Sequence, residues 1–353
     1  MAWFATRLLR WFDDAGRKDL PWQHDPTAYR VWVSEIMLQQ TQVATVIPYF
    51  NSFIARFPNV HSLAAADLDE VLHRWTGLGY YARARNMHKA AITVVNDHDG
   101  EFPPGAEALI ELPGIGRSTA GAIASIAQNL RAPILDANVK RVLARFHAVS
   151  GYPGDSRTAR ELWAHAETHT PQSRLPDYTQ AIMDLGATIC LRASPRCAEC
   201  PLLTRCAASR TDSIAQYPGR KPRQNKPTRT ARFFIIYDAA GNCLLERRPE
   251  HGVWGGLWTP PERSAEQTPA AICQEFSIAE KDLEQQSIAA TFRHTFSHFH
   301  LDIEPVYLRI SQAPALIADN DRLRWHSPGG NEALGLSAPA VKLLRTLEDF
   351  VDA

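Results

Sequence analysis

Four of the six cysteines fall close together: Cys190, Cys197, Cys200 and Cys206, with six, two and five residues between neighbours. The N-terminus shows no basic region followed by an apolar stretch and a small-residue cleavage site, which argues against a secretory signal. In such a chain a cysteine cluster points to a metal centre rather than to disulfides. Tetrahedral thiolate sites take zinc or an iron–sulfur cluster. Zinc sites usually pair two CxxC knuckles; one CxxC with two single cysteines favours a 4Fe–4S cluster. The spacing leaves open whether the cluster is structural or redox-active. Cys243 and Cys273 stand apart and read as ordinary buried thiols.

Two carboxylates have a context suited to acid–base work. Glu35, in Ser34–Thr41 (SEIMLQQT), sits on an expected helix with Val31 and Leu38 beside it at i−4 and i+3. A carboxyl on such a partly apolar face has a raised pKa, the state a general acid needs; a surface glutamate is the plain alternative. Asp136, in Leu135–Val139 (LDANV), is either a helix N-cap or a functional carboxylate. Between them lies Leu112-Pro113-Gly114-Ile115-Gly116, followed by Arg117-Ser118-Thr119-Ala120. Two glycines one residue apart allow a tight turn between helices, and the free N–H groups of the next helix can hold a phosphate without reading a base.

The elements that position these residues are mainly helical over the first 210 residues. Trp32, Ile36, Val43 and Val46 follow a start signal at Asp25-Pro26-Thr27; Leu63, Leu68, Val71, Leu72 and Trp75 form another amphipathic stretch. Thr119–Ala127 is small and apolar and suits a buried helix, and Val139, Val142, Leu143 and Phe146 make one more. Residues 211–230, with three prolines and no apolar periodicity, read as a linker. Beyond it, Arg232–Tyr237 and Cys243–Arg247 read as strand, turn, strand, Val306–Ile310 as a further strand, and 269–284 as a helix. The expected division is a helical domain at 1–210, a basic linker at 211–230 and an α+β domain at 231–353.

The chain of 353 residues is long enough for about two domains. With 45% hydrophobic and 22% charged residues it is globular rather than disordered. No apolar run reaches the roughly 18 residues of a membrane span. The formal net charge of zero hides an asymmetry: +2 over residues 1–210, +5 over 211–232 and −7 over 233–353. A basic stripe fits either a polyanion partner or a solvated linker.

Taken together, LPGIGRSTA (Leu112–Ala120), LDANVKRVL (Leu135–Leu143) and the cysteine spacing resemble the helix–hairpin–helix DNA glycosylase superfamily with an iron–sulfur cluster. LPWQ (Leu20–Gln23), SEIMLQQTQV (Ser34–Val43) and GLGYYARARN (Gly77–Asn86) narrow the resemblance to the MutY family of adenine DNA glycosylases, across essentially the whole chain. Gly255–Trp258 (GGLW) and Phe296-Ser297-His298 match that family's Nudix-like C-terminal domain.

The resemblance implies a two-lobed helical glycosylase domain with one 4Fe–4S cluster on Cys190, Cys197, Cys200 and Cys206. It implies that Glu35 is the general acid, Asp136 stabilises the cationic sugar and Asn138 supports it. Ser118 stands where bifunctional relatives carry a lysine; a serine forms no Schiff base, so a monofunctional enzyme is expected. Trp22, Gln23 and Gln180 match the adenine pocket. Gln40, Thr41, Leu78 and Tyr80 match the wedge, and Pro113, Gly114 and Gly116 the DNA-binding hairpin. Ser297 and His298 match the loop that senses 8-oxoguanine. Without the resemblance, Trp22 and Tyr80 read as core. Arg220, Lys221, Arg223 and Lys226 of the linker are candidates for phosphate contacts or a partner site. The implied substrate is double-stranded DNA with adenine opposite 8-oxoguanine or guanine, handled by a monomer in a bacterial cytoplasm, associated with the nucleoid. The segment after Gly256 lacks the clustered glutamates of a Nudix hydrolase, so that domain is expected to recognise the lesion rather than hydrolyse nucleotides. A glycosylase for an oxidised pyrimidine and a non-catalytic iron–sulfur DNA-binding protein are the competing readings.

Overall fold

The structure is a computed structural model that describes residues 2–222, 225–313, 322–327, 330 and 332–351. Arg223 of the linker's basic set lies outside the described residues. They form two compact units, Met1–Ala65 with Asn86–Arg223, and Ala66–Arg85 with Gln224–Ala353. Division by contacts therefore groups residues 66–85 with the C-terminal unit, where division by sequence groups them with the N-terminal one.

The first unit is helical: α1 (Ala2–Ala15), α2 (Ala28–Leu38), α3 (Val43–Arg56) and α4 (Val60–Ala64) lead in. After α5 (Leu68–Trp75), which belongs to the second unit, and α6 (Ala82–Asp97) come α7 (Ala106–Leu109), α8 (Arg117–Ile126), α9 (Ala137–His147), α10 (Ser156–His169), α11 (Leu175–Asp184) and α12 (Ala207–Arg210). The run expected from Trp32 to Val46 is two helices, α2 capped by the Thr27 hydroxyl and α3 beginning after Gln42. Helix α8 is small-sided and buried from Thr119 to Ser125, so its neighbours approach closely; both α2 and α11 pack on it. Leu8, Leu135, Val139, Leu143, Leu162 and Ile182 form the core between α1, α9, α10 and α11.

Helix α11 does not end cleanly. Leu185–Ile189 continue it as a π-turn, and the Cys190 N–H donates to the Leu185 carbonyl at 2.7 Å. Such i→i+5 turns are frequent at functional sites.

The second unit holds a mixed sheet of β1 (Thr228–Tyr237), β2 (Cys243–Arg247), β3 (Trp258–Thr259), β4 (Glu262–Ser264), β5 (Leu283–Ile288), β6 (Phe292–Thr295), β7 (His300–Ile310) and β8 (Leu323–His326). The order is β3-β2-β1-β7-β5, with β4 on β1, β6 on β7 and β8 on β2. The central pair β1/β7 is parallel, from Thr228 opposite His300 to Tyr237 opposite Arg309. Phe233, Ile235, Tyr237, Ile303 and Tyr307 face α14 (Ala338–Val351); Phe234, Ile236, Val306 and Leu308 face α13 (Pro269–Glu275). Burial of both faces explains why β1 reads as a continuous apolar run rather than an alternation. The helix expected over 269–284 stops at Glu275. Ser277 takes a left-handed φ of 56°, which ends it, and Leu283 starts an edge strand. Cys243 and Cys273 are buried, as expected of core thiols.

Candidate active site

Glu35 lies on α2 between buried Ser34 and Ile36, and is itself partly buried. Burial, with a smaller contribution from the charge of Asp136, pushes its carboxyl up to about 8. At neutral pH the group carries its proton. Asp136 caps α9, its Oδ1 accepting the Val139 N–H at 2.7 Å. The cap and the functional reading therefore describe one residue. Burial raises the pKa of Asp136, but the bonds from Val139 and Asn138 and the charge of Arg141 oppose that rise. Glu35 has no such opposing partner, so the environment treats the two acids differently: nothing offsets the burial of Glu35, whereas hydrogen bonds and a nearby positive charge work against the rise at Asp136.

The segment before Asp136 is held from below. Ser118 Oγ accepts the Leu135 N–H at 2.9 Å, so the hydroxyl fixes the backbone one residue ahead of the aspartate. Asn138 Nδ2 donates to Asp136 Oδ2 at 3.2 Å, and Asn138 Oδ1 accepts from Arg141 Nη2 at 2.8 Å. Arg141 also donates to the Gly186 carbonyl at 2.7 Å and to the Cys190 carbonyl at 2.6 Å. A Cβ on Gly186 would stand 2.5 Å from Asn138 Cβ, so only glycine lets the π-turn approach α9 this closely. Arg141 was not anticipated from the sequence; its place one turn beyond Asn138 on α9 was the available signal.

The four thiols line a single cavity together with Arg145, Leu185, Ile189 and Leu202. Arg145 is buried and donates to Cys190 Sγ at 3.4 Å and to the Leu191 carbonyl at 2.6 Å. Burial pushes the Cys200 thiol up to about 12, with Cys190, Cys206 and Cys197 adding to the rise. The other three sulfurs therefore all act on Cys200.

A separate cleft of about 260 Å³ is lined by Arg17, Gln23, Ile126, Arg174 and Gln180, among others. Glu35 and Asp136 do not line it, but α8, whose last residue does, packs on both α2 and α11. Behind Gln180, Asp184 is fully buried and accepts from the Arg17 N–H at 2.9 Å, Arg17 Nε at 3.1 Å and Gln180 Nε2 at 2.9 Å. Gln23 donates to the Arg17 carbonyl at 2.9 Å and accepts the Leu20 N–H at 3.0 Å. Trp22 is buried edge-on against Phe50, a packing position. Sequence reading passed over Arg17 and Asp184, although Asp184 stands one turn beyond Gln180 on the same helix.

The hairpin forms as expected. Gly114 has φ 77°, and a Cβ there would stand 2.6 Å from Asn86 Cβ. Gly116 is the N-cap of α8; no side chain caps that helix, and the space around Gly116 is open. In the first unit, Gln40 is exposed with φ 58° and Thr41 donates to the Gln39 carbonyl. In the second unit, Leu78 is buried, whereas Tyr80 is 53% exposed with φ 47°, so its ring is not core. Ser297 and His298 are exposed between β6 and β7, their side chains within 3.3 Å of each other, and Phe296 beside them packs on Trp254, His294 and Phe299.

Two family profiles match the chain: the HhH-GPD superfamily of base excision DNA repair proteins at residues 33–167, and the NUDIX domain at residues 232–346. The chain is 38% identical to the adenine DNA glycosylase of Buchnera aphidicola subsp. Acyrthosiphon pisum, covering 98% of this chain and 97% of that one. It is 34% identical to the adenine DNA glycosylase of Mus musculus, covering 98% and 78%. Among solved structures, a thermostable thymine-DNA glycosylase superposes with a TM-score of 0.52 at 27% identity, over 59% of this chain and 95% of that one. A helical glycosylase unit and a Nudix unit in one chain, with such identity over nearly its full length, make the chain a member of the adenine DNA glycosylase family, DNA-repair enzymes that release adenine.

Proposed function

We propose that the enzyme removes adenine opposite 8-oxoguanine or guanine from double-stranded DNA, by hydrolysis and without cutting the strand. The carrying observation is the pair of differently placed carboxyls: Glu35, kept protonated by burial, and Asp136, where the bonds from Val139 and Asn138 and the charge of Arg141 oppose the effect of burial. Glu35 protonates the extruded adenine so that it leaves as a neutral base, an effect worth roughly 10²–10⁴-fold in rate. Asp136 stabilises the positive charge that develops on the sugar as the glycosidic bond breaks. Asn138 and Ser118 keep it in place. Ser118 has no amine and its oxygen is engaged by Leu135, which supports a water nucleophile and an intact strand.

Trp22, Gln23 and Gln180 belong to the adenine pocket. Pro113, Gly114 and Gly116 present the uncapped start of α8 to a backbone phosphate. Gln40, Thr41, Leu78 and Tyr80 serve the wedge that replaces the extruded base, whose unstacking costs a few kcal/mol, less at a mismatch. Ser297 and His298 read the 8-oxoguanine side, and the Nudix unit hydrolyses no nucleotide.

Cys190, Cys197, Cys200 and Cys206 would hold a 4Fe–4S cluster. The four thiols line one cavity, and an all-thiolate donor set of this kind fits an iron–sulfur cluster. When bound, the cluster would crosslink the loop between α11 and α12 through its iron–thiolate bonds. Arg145 and Arg141 hold the Cys190 end of that loop.

The boundaries we propose are 1–210 for the glycosylase domain, 211–230 for the linker, whose last three residues already pair as the start of β1, and 231–353 for the lesion-recognition domain, in a monomer. No helix among the described residues is long and apolar enough to cross a membrane. The similarity to a bacterial relative supports a cytoplasmic, nucleoid-associated setting.

The test is a single-turnover assay on duplexes with A opposite 8-oxoguanine or G, read with and without alkali, beside an oxidised-pyrimidine duplex. Release of adenine with nicking only after alkali is expected. Direct nicking, or preference for the pyrimidine lesion, would sink the proposal.

A further inference from the structure

We propose that Lys226, near the end of the basic linker, is a positioning residue: it holds the loop at Ser297 and His298 in the form that tells 8-oxoguanine from guanine. This rests on the reading of that loop as the one that senses the lesion.

Residues 296–299 join β6 to β7, whose pairing ends with Thr295 opposite His300. The Phe296 N–H donates to the Phe299 carbonyl at 2.9 Å and closes the loop. Ring packing anchors both of its ends. Phe299 is buried, Phe296 stacks on it with centroids 4.5 Å apart, and Trp254 lies against Phe296 at 4.9 Å. Ser297 and His298, between these rings, are exposed.

The chain that enters β1 runs beside this loop and touches it at both ends. Lys226 Nζ donates to the Phe296 carbonyl at 2.7 Å. The Pro227 carbonyl accepts the His300 N–H at 2.9 Å, and the Arg229 guanidinium lies 4.9 Å from the centre of the Phe299 ring.

Of these contacts, the one from Lys226 acts on the exposed tip. The Phe296 carbonyl belongs to the peptide unit that joins Phe296 to Ser297. A trans peptide is planar, with its N–H opposite its carbonyl. Holding the carbonyl therefore fixes the direction of the Ser297 N–H, and with it the start of the Ser297 side chain. The ring packing alone would let that plane turn over. 8-Oxoguanine has an oxygen at C8 and a hydrogen at N7, where guanine has a hydrogen and a lone pair. A loop that reads this difference must keep its donors and acceptors facing one way.

On charge alone Lys226 is a candidate phosphate contact, and the two roles predict different results. Lys226→Met keeps an unbranched side chain and removes the donor at an exposed position. Single-turnover release of adenine opposite 8-oxoguanine should slow while release opposite guanine stays near the parent rate. The ratio of the two should fall about three- to tenfold, the range that one hydrogen bond is worth. Lys226→Arg keeps a donor and should hold most of the ratio. In a Glu35→Gln background, which leaves the mispair intact, gel-shift binding of the A·G duplex should keep the parent's salt dependence.

An equal fall of both rates, with a salt slope shallower by about one, would make Lys226 a phosphate contact and overturn the proposal. An unchanged ratio with an unchanged slope, or a Lys226→Arg ratio as low as that of Lys226→Met, would do the same. The double variant Ser297→Ala with His298→Ala separates the underlying reading. If it keeps the parent's ratio, the loop does not sense the lesion, and that reading fails together with the proposal. If it loses the ratio while Lys226→Met keeps it, the proposal alone fails.

Discussion

Glu35 should make the enzyme less stable than it need be, by an amount that depends on pH. An unfolded glutamate ionises near 4.5, whereas burial and Asp136 hold the folded one up to about 8. Below pH 4.5 both states keep the proton and there is no penalty. Between 4.5 and about 8 the unfolded chain releases the proton and the folded one does not, so stability falls by about 1.4 kcal/mol per pH unit. At pH 7 the penalty reaches about 3 kcal/mol, and above pH 8 it levels off near 5 kcal/mol. Glu35→Gln keeps the shape and removes the ionisation. Its stability relative to the parent should therefore climb from pH 4.5 to pH 8 and then stay flat. Any fixed cost of burying the amide shifts the curve but not its slope. A difference of about 3 kcal/mol corresponds to roughly 6–12 °C in the melting temperature of a domain this size. Thermal unfolding of parent and variant, followed by helical circular dichroism at pH 5, 6, 7 and 8, measures it. Base release by the variant should be lost at every pH. A stability difference that is flat across this range would refute the reasoning, because it would mean that Glu35 ionises as a surface carboxylate does and has no proton to give at neutral pH.

Release of adenine by the parent should slow about tenfold per pH unit above about 8, as Glu35 loses its proton, in single-turnover rates measured up to pH 10. Ser118→Ala leaves the Leu135 N–H without its acceptor; we expect a loss of about 1–2 kcal/mol in urea unfolding and slower release, still with nicking only after alkali. Gly186→Ala forces a methyl against Asn138 Cβ, and the expected overpacking cost is about 1–3 kcal/mol, with release falling more than mispair binding measured by gel shift. His147 and His169 share a short contact of 2.7 Å between their Nε2 atoms, and burial lowers them to about 3 and about 4. Unfolded histidines protonate near 6.5 and these do not, so stability should be lost as pH falls below 6.5; thermal unfolding of His147→Gln between pH 7 and pH 4 should show a shallower loss.

Much of this was legible because the chemistry is local. The cysteine spacing, the LPGIG turn and the N-cap at Asp136 are each written within a few consecutive residues, and the hairpin and cap formed where their types demanded. The apolar flank of Glu35 was readable too, since Val31 and Leu38 share its helix face. What stayed hidden was non-local. Nothing in Arg17 announces Asp184, more than 160 residues away, and nothing in Arg141 announces the carbonyl of Cys190. Strand β7 was seen only at Val306–Ile310, because Asp302, Glu304 and Pro305 obscure a strand whose alternate residues Leu301 and Ile303 are buried. Tyr80 was legible only through the resemblance: by type alone an aromatic ring reads as core, whereas this one is 53% exposed, on a residue with φ 47°.

The π-turn at Leu185–Ile189 also bears on which changes of length the gene can tolerate. Such a turn is an α-helix carrying one residue more than its ladder needs. An in-frame deletion of one codon there would let α11 run on as a regular helix, with a backbone at least as well bonded as before. Each helical residue turns the chain by about 100° and advances it by about 1.5 Å. Cys190 would thus swing about a quarter of the way round the axis, and its thiol would leave the cavity it shares with Cys197, Cys200 and Cys206. A change that tidies the secondary structure would cost the chain its cysteine site, so the surplus residue is kept by what lies after it rather than by the helix it interrupts.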